Sequence, residues 1–282
     1  MKGIIKRDDS QTLTLGKGIE HNYFLTNIEG IGDIQTQLNT QSNAFADGSQ
    51  FINQKYPERE IDIEFAYTAL DPERTAKRNI LSFLNSKHNF TISIIEGGVT
   101  RWISGRLYAH KVENPNGTKA LTCKATFICL DPFFKSADSF GKDIAAISSQ
   151  FYFAWNNPIG ETQPIGVYNF ERQVTVTNTG DFDTYPVFRI FATGTVTNPK
   201  VLVNGNYIRL IKTIFSGDVV EVNLVDKKVT LNGENCMGAI DRTSSFSEMK
   251  LAPGDNVVKY EADNGDVNMT VNLYYYNQFV GA

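Results

Sequence analysis

Cysteine, histidine and tryptophan are scarce in this chain, at 3, 3 and 2 of its 282 residues. Three cysteines make an odd, small number for a disulfide framework. Cys123 and Cys129 fall in one predicted strand, about 20 Å apart at roughly 3.3 Å per residue, beyond disulfide reach. Their even spacing sets them on one face with Leu121, Ala125 and Phe127, so all three thiols are read as reduced and structural. None of His21, His88 and His110 has a cysteine or second histidine at ligand spacing, and no metal is expected. No run of 18 or more apolar residues exists to cross a bilayer as a helix. Residues 1–9 turn polar too soon for a signal peptide, so the expectation is synthesis and folding in a cytoplasm. Neither charge sign dominates: 27 Lys and Arg stand against 31 Asp and Glu, a net −4. That balance provides no electrostatic footprint for duplex nucleic acid or an anionic membrane. Phosphate-binding glycine loops, the H-E-x-x-H pattern and the G-x-S-x-G elbow are also missing. The expectation is a protein without catalytic residues or cofactor.

What is present is β-structure. Glycine (22) and proline (9) punctuate the chain at short intervals, and between them apolar residues alternate as in half-buried strands. In Arg59-Glu60-Ile61-Asp62-Ile63-Glu64-Phe65-Ala66-Tyr67 the odd positions face one way and the charges the other. Residues 90–95 and 99–110 read as a hairpin turning at Gly97-Gly98, and 119–130 as a further strand. One helix interrupts: Asp71 suits the N-cap, Pro72 the first turn, and Ala76, Ile80, Leu81 and Leu84 follow at helical spacing. Residues 35–56 show no sustained period, and a connection of about 20 residues inside a compact domain is uncommon. Phe45, Phe51, Ile52 and Tyr56 give this segment something to bury, so it reads as an arm that docks on a neighbouring surface. Composition breaks at 136–166. Beyond it come short strands at 172–178, 186–193, 199–203, 207–212, 218–224, 227–231 and 267–276, with strong hairpin signals at Asn204-Gly205 and Asn232-Gly233. The fold class is therefore mainly β: an N-terminal sheet with one packed helix and a long belt-like arm (35–56) in a domain of 1–135, a linker of 136–166, and a β-sandwich over 167–282.

Few residues suggest a site. Asp181-Phe182-Asp183 and Asp263-Asn264-Gly265-Asp266 are acid-dense loops without the order that wraps Ca²⁺, so they read as strand-end turns. The aromatic run at 151–155 has two readings: Tyr152 and Trp155 stack on sugar rings, or the run packs the linker onto a domain. Arg59, Arg101, Arg106 and Arg172 either pair across a subunit interface or decorate strands.

Several segments together resemble a known family. Tyr56-Pro57-Glu58-Arg59-Glu60-Ile61-Asp62-Ile63-Glu64-Phe65 resembles the strand after the belt loop in distal tail proteins of long, non-contractile-tailed phages. Leu130-Asp131-Pro132-Phe133-Phe134-Lys135 resembles the Asp-Pro-aromatic signature closing that family's N-terminal domain. Asn178-Thr179-Gly180, Tyr185-Pro186-Val187-Phe188-Arg189-Ile190, Gly217-Asp218, Leu231-Asn232-Gly233 and Leu251-Ala252-Pro253-Gly254-Asp255-Asn256 are similar to its sandwich domain. The resemblance runs in order along nearly the whole chain. It implies a virion structural protein, of a phage or prophage in a bacterial host of Gram-positive type, forming a homo-hexameric hub ring at the tip of the tail tube. The partners implied are the major tail tube protein, the tape-measure protein, the tail-associated hub or lysin protein, and receptor-binding or baseplate proteins. The second domain is implied to be galectin-like, or similar to a carbohydrate module, and fold alone does not supply a sugar-binding function. On this reading Phe45, Phe51 and Tyr56 are the arm's subunit contacts. The alternative is a carbohydrate-binding module attaching the tail to wall polysaccharide through Tyr152 and Trp155.

Overall fold

The computed structural model describes the chain except for residues 17–21, 33, 44–46, 68–72, 115–119, 138–139, 144–146, 150–165 and 169–171. Two compact units are found: Met1–Ala137 with Gln278–Ala282, and Asp138–Asn277.

The first unit contains β1 (Lys2–Arg7), β2 (Thr12–Leu15), β3 (Tyr23–Glu29), β4 (Gln37–Ser42), β5 (Ser49–Lys55), β6 (Arg59–Tyr67), α1 (Glu73–Phe83), β7 (Asn89–Glu96), β8 (Val99–Glu113), β9 (Leu121–Cys129) and β10 (Phe134–Ser136). Its main sheet runs β2-β1-β7-β8-β9-β6-β3. The outer strands meet: Gly16 bridges Phe24, donating to the Tyr23 carbonyl and accepting from the Leu25 N–H. Those bonds close the sheet into a barrel, which removes the open edges that would otherwise template aggregation. The alternation read in β6 is observed, with Ile61, Ile63, Phe65 and Tyr67 buried. They share one core with Phe90, Phe127, Cys123, Cys129, the Ala76, Ile80 and Phe83 stripe of α1, and Leu84 just after it. Phe90 meets Phe127 edge to face at 5.3 Å, the arrangement aromatic quadrupoles favour. Leu81, read as part of that stripe, is instead exposed. The predicted cap, Asp71 and Pro72, lies outside the described residues.

The second unit contains β11 (Phe140–Asp143), β12 (Ile147–Ser149), β13 (Gly166–Tyr168), β14 (Gln173–Asn178), β15 (Val187–Ala192), β16 (Val196–Thr197), β17 (Lys200–Val203), β18 (Asn206–Arg209), β19 (Thr213–Ile214), β20 (Val219–Asn223), β21 (Lys228–Leu231), β22 (Glu234–Asn235), β23 (Gly254–Glu261) and β24 (Met269–Tyr275). One sheet runs β11-β24-β15-β20-β21-β22 and the other β14-β23-β17-β18. Val176, Val201, Val258 and Tyr260 of the second sheet share a single core with Phe188, Ile190, Val220, Val271 and Leu273 of the first, as in a sandwich. Asn204-Gly205 and Asn232-Gly233 both take positive φ, so each forms the tight turn expected of it. Sequence reading omitted β23, where the buried inward position at Asn256 is polar.

The last strand, β25 (Gln278–Phe279), pairs with β10, and β10 pairs with β8. Residues 278–282, read with the sandwich by sequence, thus belong to the first unit. Two residues of strand are too short to show a period, so nothing local marked the return. Similarly, β11 lies within the predicted linker and extends the sandwich by pairing with β24.

Candidate functional site

The segment read as an arm is a two-stranded ribbon, in which β4 pairs, among the described residues, only with β5. Every residue of β5 is exposed, and of β4 only Asn39 is partly covered. Asn39 Nδ2 donates to Asn53 Oδ1 across the ribbon at 2.6 Å. Leu38, Phe51 and Ile52 are 60%, 63% and 57% exposed. Three large apolar side chains thus stand exposed on a two-stranded ribbon, and two-stranded hairpins are marginal in water without a partner.

The register explains how the ribbon becomes two-faced. Asn39 pairs with Asn53, but Thr40 pairs with Phe51, leaving Ile52 as the extra residue of a β-bulge. Because pairs share a face and successive residues alternate, Leu38, Thr40, Phe51 and Gln54 lie on one side. Gln37, Asn39, Gln41, Gln50, Asn53 and Lys55 lie on the other. Without the bulge Phe51 would fall among the amides. The bulge therefore sorts the arm into an apolar face and an amide face.

Of the predicted contacts, Phe51 lies on the apolar face, and Leu38, which sequence reading did not single out, is exposed on the same face. Phe45 lies outside the described residues. Tyr56 stands at the root of the ribbon, edge to face with Phe133 of its own chain at 5.3 Å. Beside it a cleft of about 410 Å³ is lined by Gly30, Ile34, Pro57, Glu58, Arg59 and Ile128 among others. Tyr152 and Trp155 lie outside the described residues.

Arg59 and Arg101 take neither predicted role. Arg59 is buried and donates to main-chain carbonyls, and Arg101 lies against the ring of Phe279. Arg172 pairs with Asp266. The acidic loops are internally matched: Asp183 with Lys250 at 2.6 Å, and Asp263 with Asn198 and Arg209. Asn198 and Arg209 hold Asp263 below the usual carboxylate range against some desolvation.

Among the described residues one cluster has metal-ligand chemistry, formed by Asp8, Asp9 and His88. Arg7 already occupies it. Its Nη2 contacts Asp9 Oδ2 at 2.5 Å and His88 Nε2 at 2.7 Å, while Nη1 donates to the Ser82 carbonyl at 3.0 Å. A guanidinium only donates, so Nε2 accepts and the imidazole proton sits on Nδ1, facing Asp8 Oδ1 at 2.6 Å. The Asn89 N–H and His88 together hold Asp8 below the usual carboxylate range. The cluster anchors the end of α1 to β1 rather than offering ligands to an ion.

The model of the phage tail protein RIFT-related domain matches residues 11–186, and that of the siphovirus-type tail component, C-terminal domain, matches residues 179–279. No curated protein matches in sequence. Among solved structures, the SPP1 Dit protein is similar with a TM-score of 0.69 at 16% identity, covering 98% of this chain and 99% of that one. It is described there as a paradigm of the hub adsorption apparatus in phages infecting Gram-positive bacteria. A chain of the phage P2 baseplate, in its activated conformation with Ca, is similar with a TM-score of 0.57 at 10% identity and full coverage of both chains. The fold of the chain is thus shared with a phage hub protein and with a chain of a phage baseplate.

Proposed function

The chain belongs to the phage tail protein family with a RIFT-related domain, whose model spans more than half of it, and from that membership we propose a distal tail hub protein that assembles into a closed hexameric ring. The observation that carries this reading is the exposed two-faced arm, which places Leu38 and Phe51 on one face with nothing of the described chain upon them. An arm of this kind laid on the next copy makes a heterologous contact, and repetition about an axis closes a ring. The barrel of the first unit, closed on itself, leaves the arm as the element available for exchange. The resemblance to a hub protein supports a virion location, with the tail tube and tape-measure proteins on one side and baseplate or receptor-binding proteins on the other. The role is structural and requires no cofactor. No observation on Tyr152 or Trp155 favours the sugar-binding alternative.

Substituting Leu38→Ala and Phe51→Ala together tests the assignment. We expect assembly, followed by analytical ultracentrifugation, to weaken at least tenfold while the melting temperature stays within about 2 °C, because exposed positions contribute little to folding. Unaltered assembly by the double variant contradicts the docking role of the arm.

A further inference from the structure

Both roots of the arm converge on one buried guanidinium. Arg59, 4% exposed, opens β6 just beyond the outgoing root. Its Nη1 donates to the carbonyls of Gly30 and Ile31, at 3.2 and 3.3 Å, on the incoming root. Its Nη2 donates to the carbonyl of Val280, in the segment that returns from the second unit. That segment also holds the incoming root directly, through the Ala282 N–H to the Ile31 carbonyl at 3.1 Å.

The returning segment is itself tightly held. Phe279 pairs with Phe134 in the ladder, and the Phe134 ring lies under the Arg59 guanidinium at 5.0 Å. Arg101 stacks on Phe279 at 3.9 Å and donates to the Gly281 carbonyl at 2.5 Å. On the root side there is little slack. Gly30 has φ +82°, and a Cβ there would fall 2.1 Å from the Glu60 carbonyl oxygen. A buried cation needs acceptors for its hydrogens, so losing Val280 would oblige Arg59 and the carbonyls it bridges to rearrange.

We infer that residues 278–282 are a clasp that fixes the direction of the arm. The inference rests on the arm being the docking element. A six-residue strand is about 20 Å long, so turning the root by about 20° would carry the tip about 7 Å sideways. Because the clasp follows the whole second unit in the chain, an arm in docking geometry is available only once that unit has been synthesised. The clasp thus couples synthesis of the second unit to assembly.

The test uses two separate variants of the 282-residue chain, Arg101→Ala and Phe279→Ala, each of which loosens the clasp without touching the arm. Hydrogen exchange by mass spectrometry is followed on peptides covering 26–36 and 56–60, with peptides of 187–192 and 269–275 reporting that the second unit is folded. The expected result is exchange at least tenfold faster at the roots in either variant, unchanged exchange in the second unit, and assembly at least tenfold weaker. Unchanged root exchange in a folded variant overturns the clasp, whatever assembly does. Faster root exchange with undiminished assembly also overturns it, because the roots would then move without consequence for docking. Phe51→Ala keeps the two readings apart: it should weaken assembly and leave root exchange alone, and if it leaves assembly intact the arm reading fails while root exchange still reports on the clasp.

Discussion

Cys123 and Cys129 point into the barrel, where burial pushes both thiols up to about 12. A thiolate is the reactive species, so neither should react with a disulfide reagent at pH 8 until the barrel opens. We expect both to label together under denaturant, in step with loss of the first unit's structure, and rapid native labelling of either would contradict this packing. Asp8 provides a pH signature. Its folded-state pKa is lowered, so its contribution is present above the unfolded value and is lost as pH falls through the folded one. Asp8→Asn should therefore lower the melting temperature at pH 7, and the gap to the parent should close below about pH 4. A gap that persists unchanged at low pH would exclude this role. The same residues show what sequence could not tell. Thiols evenly spaced on an apolar face were legible as core. Arg7 and Asn256, each buried at an inward strand position, were not: Arg7 reaches Ser82 and His88 far along the chain, and Asn256 bonds the main chain of Ala252 and Gly254 and the side chain of Asn204. Each hid its strand by breaking the alternation.

Among the elements, β6 and the β7–β8 hairpin were legible because charge, apolar alternation and turn glycines all agreed. The arm was legible only as an anomaly of length. Its ribbon structure stayed hidden because the bulge at Ile52 destroys the period by which strands are recognised. That bulge carries a specific prediction. Deleting Ile52 should restore regular pairing while keeping Phe51 opposite Thr40, on the face of Leu38, so assembly and the melting temperature should both stay close to those of the parent. Loss of assembly by the deletion variant would show that docking needs more than Leu38 and Phe51 on a common face. Core positions behave oppositely. Phe127→Ala should cost about 3–5 kcal/mol in denaturant melts, because Phe127 is wholly buried against Phe90.

At the scale of the whole molecule, the succession of β-rich segments around one helix announced the fold class. The return of residues 278–282 to the first unit had no local signal, since its reasons are the carbonyl-seeking guanidinium groups of Arg59 and Arg101. The function proposed is that of a ring built by exchange of arms. Its decisive test is native mass spectrometry with negative-stain imaging, across protein concentration and with and without the tail tube protein. Closed rings with a central hole and a discrete mass of six copies are expected. A monomer at every concentration, persisting when the tail tube protein is supplied as a template, would contradict that function.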